Sequence, residues 1–328
     1  MKAVNVKSVG NSEQLEIIDL PVPKIKANQV LVKTVAAGVN RPDILQRRGL
    51  YNPPPDASKI LGLEISGKIV EIGDEVPGDL VGQNIFALTH GGGYAEYCAV
   101  DYNHCLLLPP NLSFSEAACI PETAFTVFYN LFLIGGLKEG DKVLIHGGSG
   151  GIGSTAIQMA RLAGADVVIA TAGSDKKCGY CKDNGADHAF NYKTESFSDK
   201  IKQSSIGKID IVLDMLGGKF FEKNISLLGY GGRHLSIAYL AGKDVKLDLG
   251  RLMTKQILVT GSTLRPQSPA VKASIANGIK NFLLPLLEEK KFKIRVDREF
   301  SMLDVKSAHD LMESREHMGK ICLTISQT

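Results

Sequence analysis

Apolar positions along the chain follow two rhythms. Up to about residue 120 they form short, partly alternating runs: LEIIDLPVP (15–23), QVLVKTVAAGV (29–39), GKIVEIG (67–73) and IFALT (85–89). Turns rich in Gly, Pro and Asn separate them, notably at 21–23 and 52–55, so this part is predicted to be a β-rich module. Residues 114–136, FSEAACIPETAFTVFYNLFLIGG, change to helical spacing, with Pro121 breaking the first helix from the second. From 141 onward, continuous apolar runs alternate with helical stretches. Strands are predicted at 143–145, 167–170, HAFNY, IDIVLDML, GRHLSIAYL and KQILVTGSTL, with GGKFFEKNISLL a helix between the fourth and fifth. Runs apolar on both faces suit a parallel sheet covered by helices on each side, so six of them predict a doubly wound α/β domain. Beyond 265 the pattern predicts a long helix, PAVKASIANGIKNFLLPLLEE, and a tail ending in GKICLTI that returns as a strand to the first module.

The first of those six strands runs into the densest glycine cluster of the chain, HGGSGGIGST, and a helix with Ala156, Ile157 and Ala160 on one face follows. Gly148, Gly150 and Gly153 have the G-x-G-x-x-G spacing. By itself that spacing is a weak signal. Between a buried strand and a helix it points to a pyrophosphate seated on backbone N–H groups at a helix N-terminus, where side chains would hold it away. The second strand then decides which dinucleotide. A carboxylate there would bind a free ribose 2′-hydroxyl, whereas a 2′-phosphate needs donors and positive charge. The strand ends ATAGSDKK, with Gly173 and Ser174 where the acid is expected and Lys176 and Lys177 beyond. Asp175 lies past the turn, where it favours the N-terminus of the next helix. The pattern predicts NADPH over NADH, against the alternative that the two lysines form an ordinary solvated face.

Composition narrows the rest. A length of 328 residues fits two domains, and 44% hydrophobic with 22% charged residues is ordinary for a globular protein. A net charge of +3 with no basic stripe implies neither nucleic acid nor a membrane surface. No apolar run approaches the roughly 20 residues that span a bilayer, and MKAVNVK begins on an alternating pattern without a signal-peptide core. Six cysteines do not make a disulfide scaffold, so a cytoplasmic location is expected. Cys178 and Cys181 form a C-x-x-C pair with no second pair to complete a zinc site, and both fall inside a predicted helix, so packing is expected of them. His146, flanking the glycine cluster, is likewise expected to be packed.

AAGVNRPDILQRRGLY, LGLEISGKIVEIG, HGGSGGIGSTAIQMA, TAGSDKK, FNYKTESFSDKI and HMGKICL, spread over essentially the whole chain, resemble the zeta-crystallin-like NADPH quinone oxidoreductases. These form a zinc-free group of the medium-chain dehydrogenase/reductase superfamily, and the nearest likeness is to the tumour-suppressor-induced type. The resemblance implies a Rossmann domain (123–265) inserted in a β-rich, GroES-like catalytic domain (1–122 and 266–328). The zinc-dependent branch carries C-G-x-C-x-x-D and G-H-E where this chain has Asn40, in GVNRPD, and Leu63, in GLE. Neither residue can supply a thiolate or imidazole to zinc. Without a Lewis acid, electron-poor acceptors such as quinones become the expected substrates, reduced by proximity and orientation.

The resemblance further implies that Gly148, Ser149, Gly150, Gly151 and Ile152 line the pyrophosphate, and that Gly173, Ser174, Lys177 and Tyr192 surround the 2′-phosphate. Ile237 and Leu264 would approach the nicotinamide, and Lys320 would return to the coenzyme from the tail. Asn40, Tyr51 and Thr126 would lie at the reacting centre. Tyr51 either orients or protonates the reduced oxygen, or is only a wall of the pocket. Asn40 is alternatively a turn residue, Thr126 a helix hydroxyl bonded to its own backbone, and Tyr192 an ordinary strand tyrosine. A homodimer joined through the apolar edge strand 257–261 is also implied. Two rivals remain open: an NADPH-dependent reductase of α,β-unsaturated carbonyls, and a non-catalytic lens or RNA-binding role.

Overall fold

The computed structural model describes residues 1–326, and the chain divides into two compact units, Met1–Phe125 with Arg265–Thr328, and Thr126–Leu264.

The second unit is built on six parallel strands. Across the sheet they run His188–Asn191, Val167–Ala172, Lys142–Ile145, Ile209–Asp214, Leu228–Ser236, Leu258–Gly261, which in order along the chain is 3-2-1-4-5-6. That order reverses beside Lys142–Ile145, the switch point at which doubly wound sheets bind their ligands. Val143, Leu144, Ile145, Val168, Ile169 and Ala170 are wholly buried, which explains why these runs are apolar without alternation. Leu144, Ile169, Phe197, Ile201, Val212 and Ile225 form the core on one side of the sheet. The fifth strand departs from expectation. It starts at Leu228, inside the stretch predicted as helix, and its register against Ile209–Asp214 slips between Ile209 and Ile211. Gly229, Gly231 and Gly232 permit the irregularity, with Gly231 at φ +68°.

In the first unit Gln29–Val39 is the central strand. It pairs antiparallel with Glu64–Ile72, with Tyr97–Asp101 and with the C-terminal strand Lys320–Thr324, where Val39 opposes Ile321 and Gly38 opposes Cys322. Asn84–Leu88 and Cys105–Leu107 extend the sheet on one side and Val296–Ser301 on the other. Lys2–Val6 and Leu15–Asp19 form a separate ribbon. Ile44, Leu61, Ile65, Ile85, Met302, Ile321 and Leu323 share one core, so the tail contributes to the hydrophobic centre of this unit. The short helix Arg41–Arg47 opens with a capping box between Asn40 and Asp43. Arg47 ends it wholly buried, bonded to Glu313 at 2.6 Å and to His309 Nδ1 at 3.2 Å.

One expectation is corrected by the helices around Pro121. Phe114–Ile134 is a helical stretch of 21 residues with a mean hydropathy of 1.4, long and apolar enough to cross a membrane by length and composition. The sequence hid it because polar residues interrupt the run. Of its most apolar 18-residue window 72% is buried inside the protein, as in a core helix.

Candidate active site

The glycine cluster forms the turn from Lys142–Ile145 into the helix Gly151–Leu162. A Cβ on Gly153 would stand 2.2 Å from the Gly147 carbonyl oxygen and 2.5 Å from the Gly148 Cα. One on Gly148 would meet Ala170 Cβ and Cys181 Sγ, both at 2.8 Å. These two glycines therefore let strand, turn and helix close on one another. Gly150 differs: a Cβ there would meet only the Gly147 oxygen at 3.6 Å, so its surface is open. Gly150 is the N-cap of the helix and, having no side chain, leaves the first-turn N–H groups without the side-chain cap that Ser or Asp would give. An anion at this terminus gains both those donors and the helix dipole. Ser149 is buried in the turn, and Gly151 and Ile152 are partly exposed at the helix start. These residues fit a dinucleotide pyrophosphate.

At the end of Val167–Ala172, a Cβ on Gly173 would lie 2.7 Å from the Tyr192 hydroxyl, so a side chain there would push the tyrosine aside. Ser174 caps the helix Asp175–Asp183, its Oγ accepting from the Lys177 N–H at 3.3 Å. Asp175 Oδ1 accepts from Asn191 Nδ2 at 2.8 Å, which holds that carboxylate toward the neighbouring strand. Tyr192 follows the strand His188–Asn191, its ring edge-on to Phe220. Gly173, Ser174 and Tyr192 are thus brought together, with Lys177 one turn into the helix. Ile237 follows the strand Leu228–Ser236, its N–H donating to the Asp214 carbonyl at 2.8 Å, and Leu264 is buried three residues beyond the edge strand. Thr126 is partly buried, and its carbonyl accepts from Asn130 Nδ2 at 2.8 Å.

In the first unit the structure joins residues that sequence reasoning left unconnected. Lys320, 4% exposed, puts its ammonium 2.7 Å from Glu64 Oε1, 2.5 Å from Asn40 Oδ1 and 3.3 Å from the Val39 carbonyl. Asn40 Nδ2 donates to Glu64 Oε1 at 2.8 Å, and Glu64 Oε2 accepts from the Glu122 N–H at 2.8 Å. Burial works against the Lys320 charge most strongly, but Glu64, Cys119 and Glu122 together outweigh it and hold the ammonium above the usual lysine range. A Cβ on Gly38 would fall 2.0 Å from Glu64 Oε1, so glycine makes room for this carboxylate. The three donors of Lys320 are met by partners within its own unit. Asp43, held by N–H groups of Asn40 and Gly62 and by the Tyr94 hydroxyl, is pushed by burial to about 6. Burial, with Glu64 and Asp43 nearby, pushes Glu122 to about 8, so its carboxyl is mostly protonated at neutral pH.

Tyr51 lies partly buried in the same unit, with the Arg265 guanidinium 5.8 Å from its ring centroid. Burial first, and then Glu122, raises the phenol above its ordinary value. Glu64, Glu122, Arg265 and Lys272 are the residues the sequence did not single out. Lys272 carried a signal, since it shares the buried stripe of its helix with Ile275, Ala276, Ile279, Leu283 and Leu287.

A zinc ion does not fit here. The position implied for a ligand is Asn40, already bonded to an ammonium, and Leu63 is a buried hydrocarbon. Among the described residues no three His, Cys, Asp or Glu side chains gather to hold a metal. Cys178 and Cys181 are free and buried in one helix, and His146 is wholly buried, bonded to Thr171 Oγ1 and Asn224 Oδ1 at 2.8 Å each.

Residues 26–110 match the family model for the alcohol dehydrogenase GroES-like domain, and residues 151–277 the model for zinc-binding dehydrogenases. The chain is 31% identical to the quinone oxidoreductase of Rattus norvegicus over 329 residues, covering 99% of this chain and 98% of that one. It is 29% identical to the synaptic vesicle membrane protein VAT-1 homolog of Danio rerio, of which it spans 65%. Among solved structures, Escherichia coli quinone oxidoreductase complexed with NADPH matches with a TM-score of 0.88 at 26% identity, covering 99% of this chain and all of that one. CurK enoyl reductase matches with a TM-score of 0.86 at 25% identity, covering 99% of each chain.

Proposed function

The chain belongs to the zinc-free group of the medium-chain dehydrogenase/reductase superfamily, among relatives that are quinone oxidoreductases, and from that premise we propose that it is an NADPH-dependent quinone reductase. The observation that carries this reading is the open, uncapped helix terminus at Gly150 on the switch point of the sheet, in a chain whose zinc-ligand position holds Asn40 against Lys320. The preference for NADPH is supported by the strand end at Gly173. No carboxylate is free there, because Asp175 is tied to Asn191, while Lys177 and Tyr192 flank the position. When bound, the coenzyme supplies hydride to an electron-poor acceptor.

Each part of the chain then has a task. Gly148, Ser149, Gly150, Gly151 and Ile152 hold the pyrophosphate by backbone donors. Gly173, Ser174, Lys177 and Tyr192 receive the extra phosphate, and Ile237 and Leu264 supply apolar surface for the nicotinamide. In the first unit Asn40 shapes the reacting centre, Tyr51 orients the acceptor and Lys320 fixes Asn40 directly; in the second unit Thr126 lies near the nicotinamide. Lys177→Ala is expected to weaken NADPH binding by about ten- to a hundredfold, the worth of one charged hydrogen bond, and to leave NADH within about twofold. Equilibrium titration of both coenzymes checks it; equal losses would mean the 2′-phosphate is misplaced.

A homodimer through the edge strand Leu258–Gly261 is supported by exposed Tyr230, Leu249, Met253 and Leu258 on that side of the second unit. Six free cysteines, most of them buried, suit a reducing cytoplasm. The second reading is reduction of α,β-unsaturated carbonyls, favoured by the likeness to an enoyl reductase. Steady-state oxidation of NADPH with a panel of ortho- and para-quinones and small enones separates the two. Turnover is expected on quinones with kcat/KM at least about tenfold above any enone. Turnover on enones alone would establish the rival, and turnover on neither would end both.

A further inference from the structure

We propose that Arg265 binds the acceptor oxygen that becomes anionic on reduction, opposite Tyr51 in the first unit. This names the acceptor contact for the quinone- or enone-reducing activity proposed above and rests on that reading. Arg265 is 5% exposed, and two of its three nitrogens are fixed. One terminal nitrogen donates to Gln46 Oε1 at 2.6 Å, and the other to the His90 carbonyl at 3.2 Å. Its Nε–H is buried with no hydrogen-bond partner. Buried donors are nearly always satisfied, so an orphan in a guanidinium held this firmly points to a ligand. Among the described residues Arg265 makes no ion pair, and neither does Lys272, 4% exposed, whose ammonium lies 2.7 Å from the Arg265 carbonyl and 3.4 Å from His90 Nδ1. Two buried cations without a paired carboxylate set positive charge beside the unpartnered Nε–H. Of the two acids close enough to act on Arg265, Glu122 is pushed by burial to about 8, and Asp43, at about 6, is held by the N–H groups of Asn40 and Gly62 and by the Tyr94 hydroxyl, not by either cation. Gly91, at φ +125°, packs closely against the guanidinium, since a Cβ there would stand 3.1 Å from it.

The chemistry gives the charge a use. A bound reduced coenzyme would supply the hydride, its C–H bond breaking as a new C–H bond forms on the conjugated acceptor, so that the coenzyme is oxidised and the acceptor reduced. The electron pair of the carbonyl π bond moves onto oxygen, which becomes a phenolate or enolate and then takes a proton from water or Tyr51. A fixed N–H donor and positive charge at that oxygen stabilise the developing anion more than the neutral carbonyl, which accelerates the step.

The test uses Arg265→Gln and Arg265→Lys in the full-length protein, with thermal melts to establish that each folds. Arg265→Gln is expected to lower kcat/KM for quinones about 100- to 1,000-fold, mostly through kcat, with NADPH affinity within about twofold of wild type. Arg265→Lys, which keeps the charge and loses the fork, recovers part of the loss. A readout independent of turnover is the binding of 4-nitrophenol, followed by its visible absorbance. The wild type is expected to bind it as the yellow phenolate in competition with quinone, and Arg265→Gln to bind it at least about tenfold more weakly. An active wild type whose Arg265→Gln variant keeps full kcat/KM, or binds 4-nitrophenolate equally well, overturns the assignment. If Arg265→Gln does not fold, Arg265→Lys decides on the same criteria. A wild type that oxidises no NADPH with any acceptor overturns instead the reading on which this rests.

Discussion

Gly153→Val is expected to lower NADPH affinity more than about 100-fold, a loss above roughly 2.7 kcal/mol. The cause is steric, not conformational, because Gly153 lies inside the helix Gly151–Leu162 and not in the left-handed region. Its Cβ would meet the Gly147 oxygen at 2.2 Å and the Gly148 Cα at 2.5 Å, and both are backbone atoms with no rotamer to move into. Helix and turn must separate, which displaces the first-turn N–H groups from the geometry an anion needs. The control is Gly179→Ala. That glycine is also helical but has nothing within 4 Å of a new Cβ. It should leave coenzyme binding unchanged and stabilise the protein by up to about 1 kcal/mol. Titration with NADPH, alongside thermal melts of both variants, reads the two effects; equal binding by Gly153→Val and wild type would sink the account of the turn.

Lys320→Met is expected to destabilise the protein by about 3–5 kcal/mol, because it removes one partner of a buried pair and strands the other. Glu64 is wholly buried and, among the described residues, would keep only the Asn40 amide and the Glu122 N–H against its charge. Adding Glu64→Gln to Lys320→Met should recover much of the loss, since a neutral amide needs no counter-charge. Urea unfolding monitored by circular dichroism measures it. Additive destabilisation in the double variant would show that the two groups do not stabilise one another. Activity should fall with Lys320→Met beyond the stability effect, because the same ammonium fixes Asn40.

These residues also show where sequence reading works. The glycine turn and the six strands could be read because their causes are local: apolar on both faces for a covered parallel strand, glycine wherever a Cβ would strike backbone. The capping box at Asn40 and Asp43 is equally local, yet the helix it starts is not legible in the sequence, since seven residues ending in buried Arg47 carry little apolar rhythm. The start of Leu228–Ser236 reads as helix from the sequence because its leucines continue the helical spacing, while the glycines after them allow a slipped strand. The polar centre of the first unit could not be read at all. Asn40 and Lys320 are 280 residues apart, and nothing in GVNRPD or HMGKICL says that an amide of one accepts from the ammonium of the other. Ser174 shows the opposite limit, a residue fit for a phosphate by type that is also the cap of its own helix.

The central claim is that the second unit holds a nicotinamide coenzyme at the glycine turn and favours the one with a 2′-phosphate. Isothermal titration of the wild-type protein with NADPH and with NADH tests it most directly. The account predicts one site per chain, with NADPH bound at least about tenfold more tightly. Binding of neither coenzyme, or tighter binding of NADH, would contradict it.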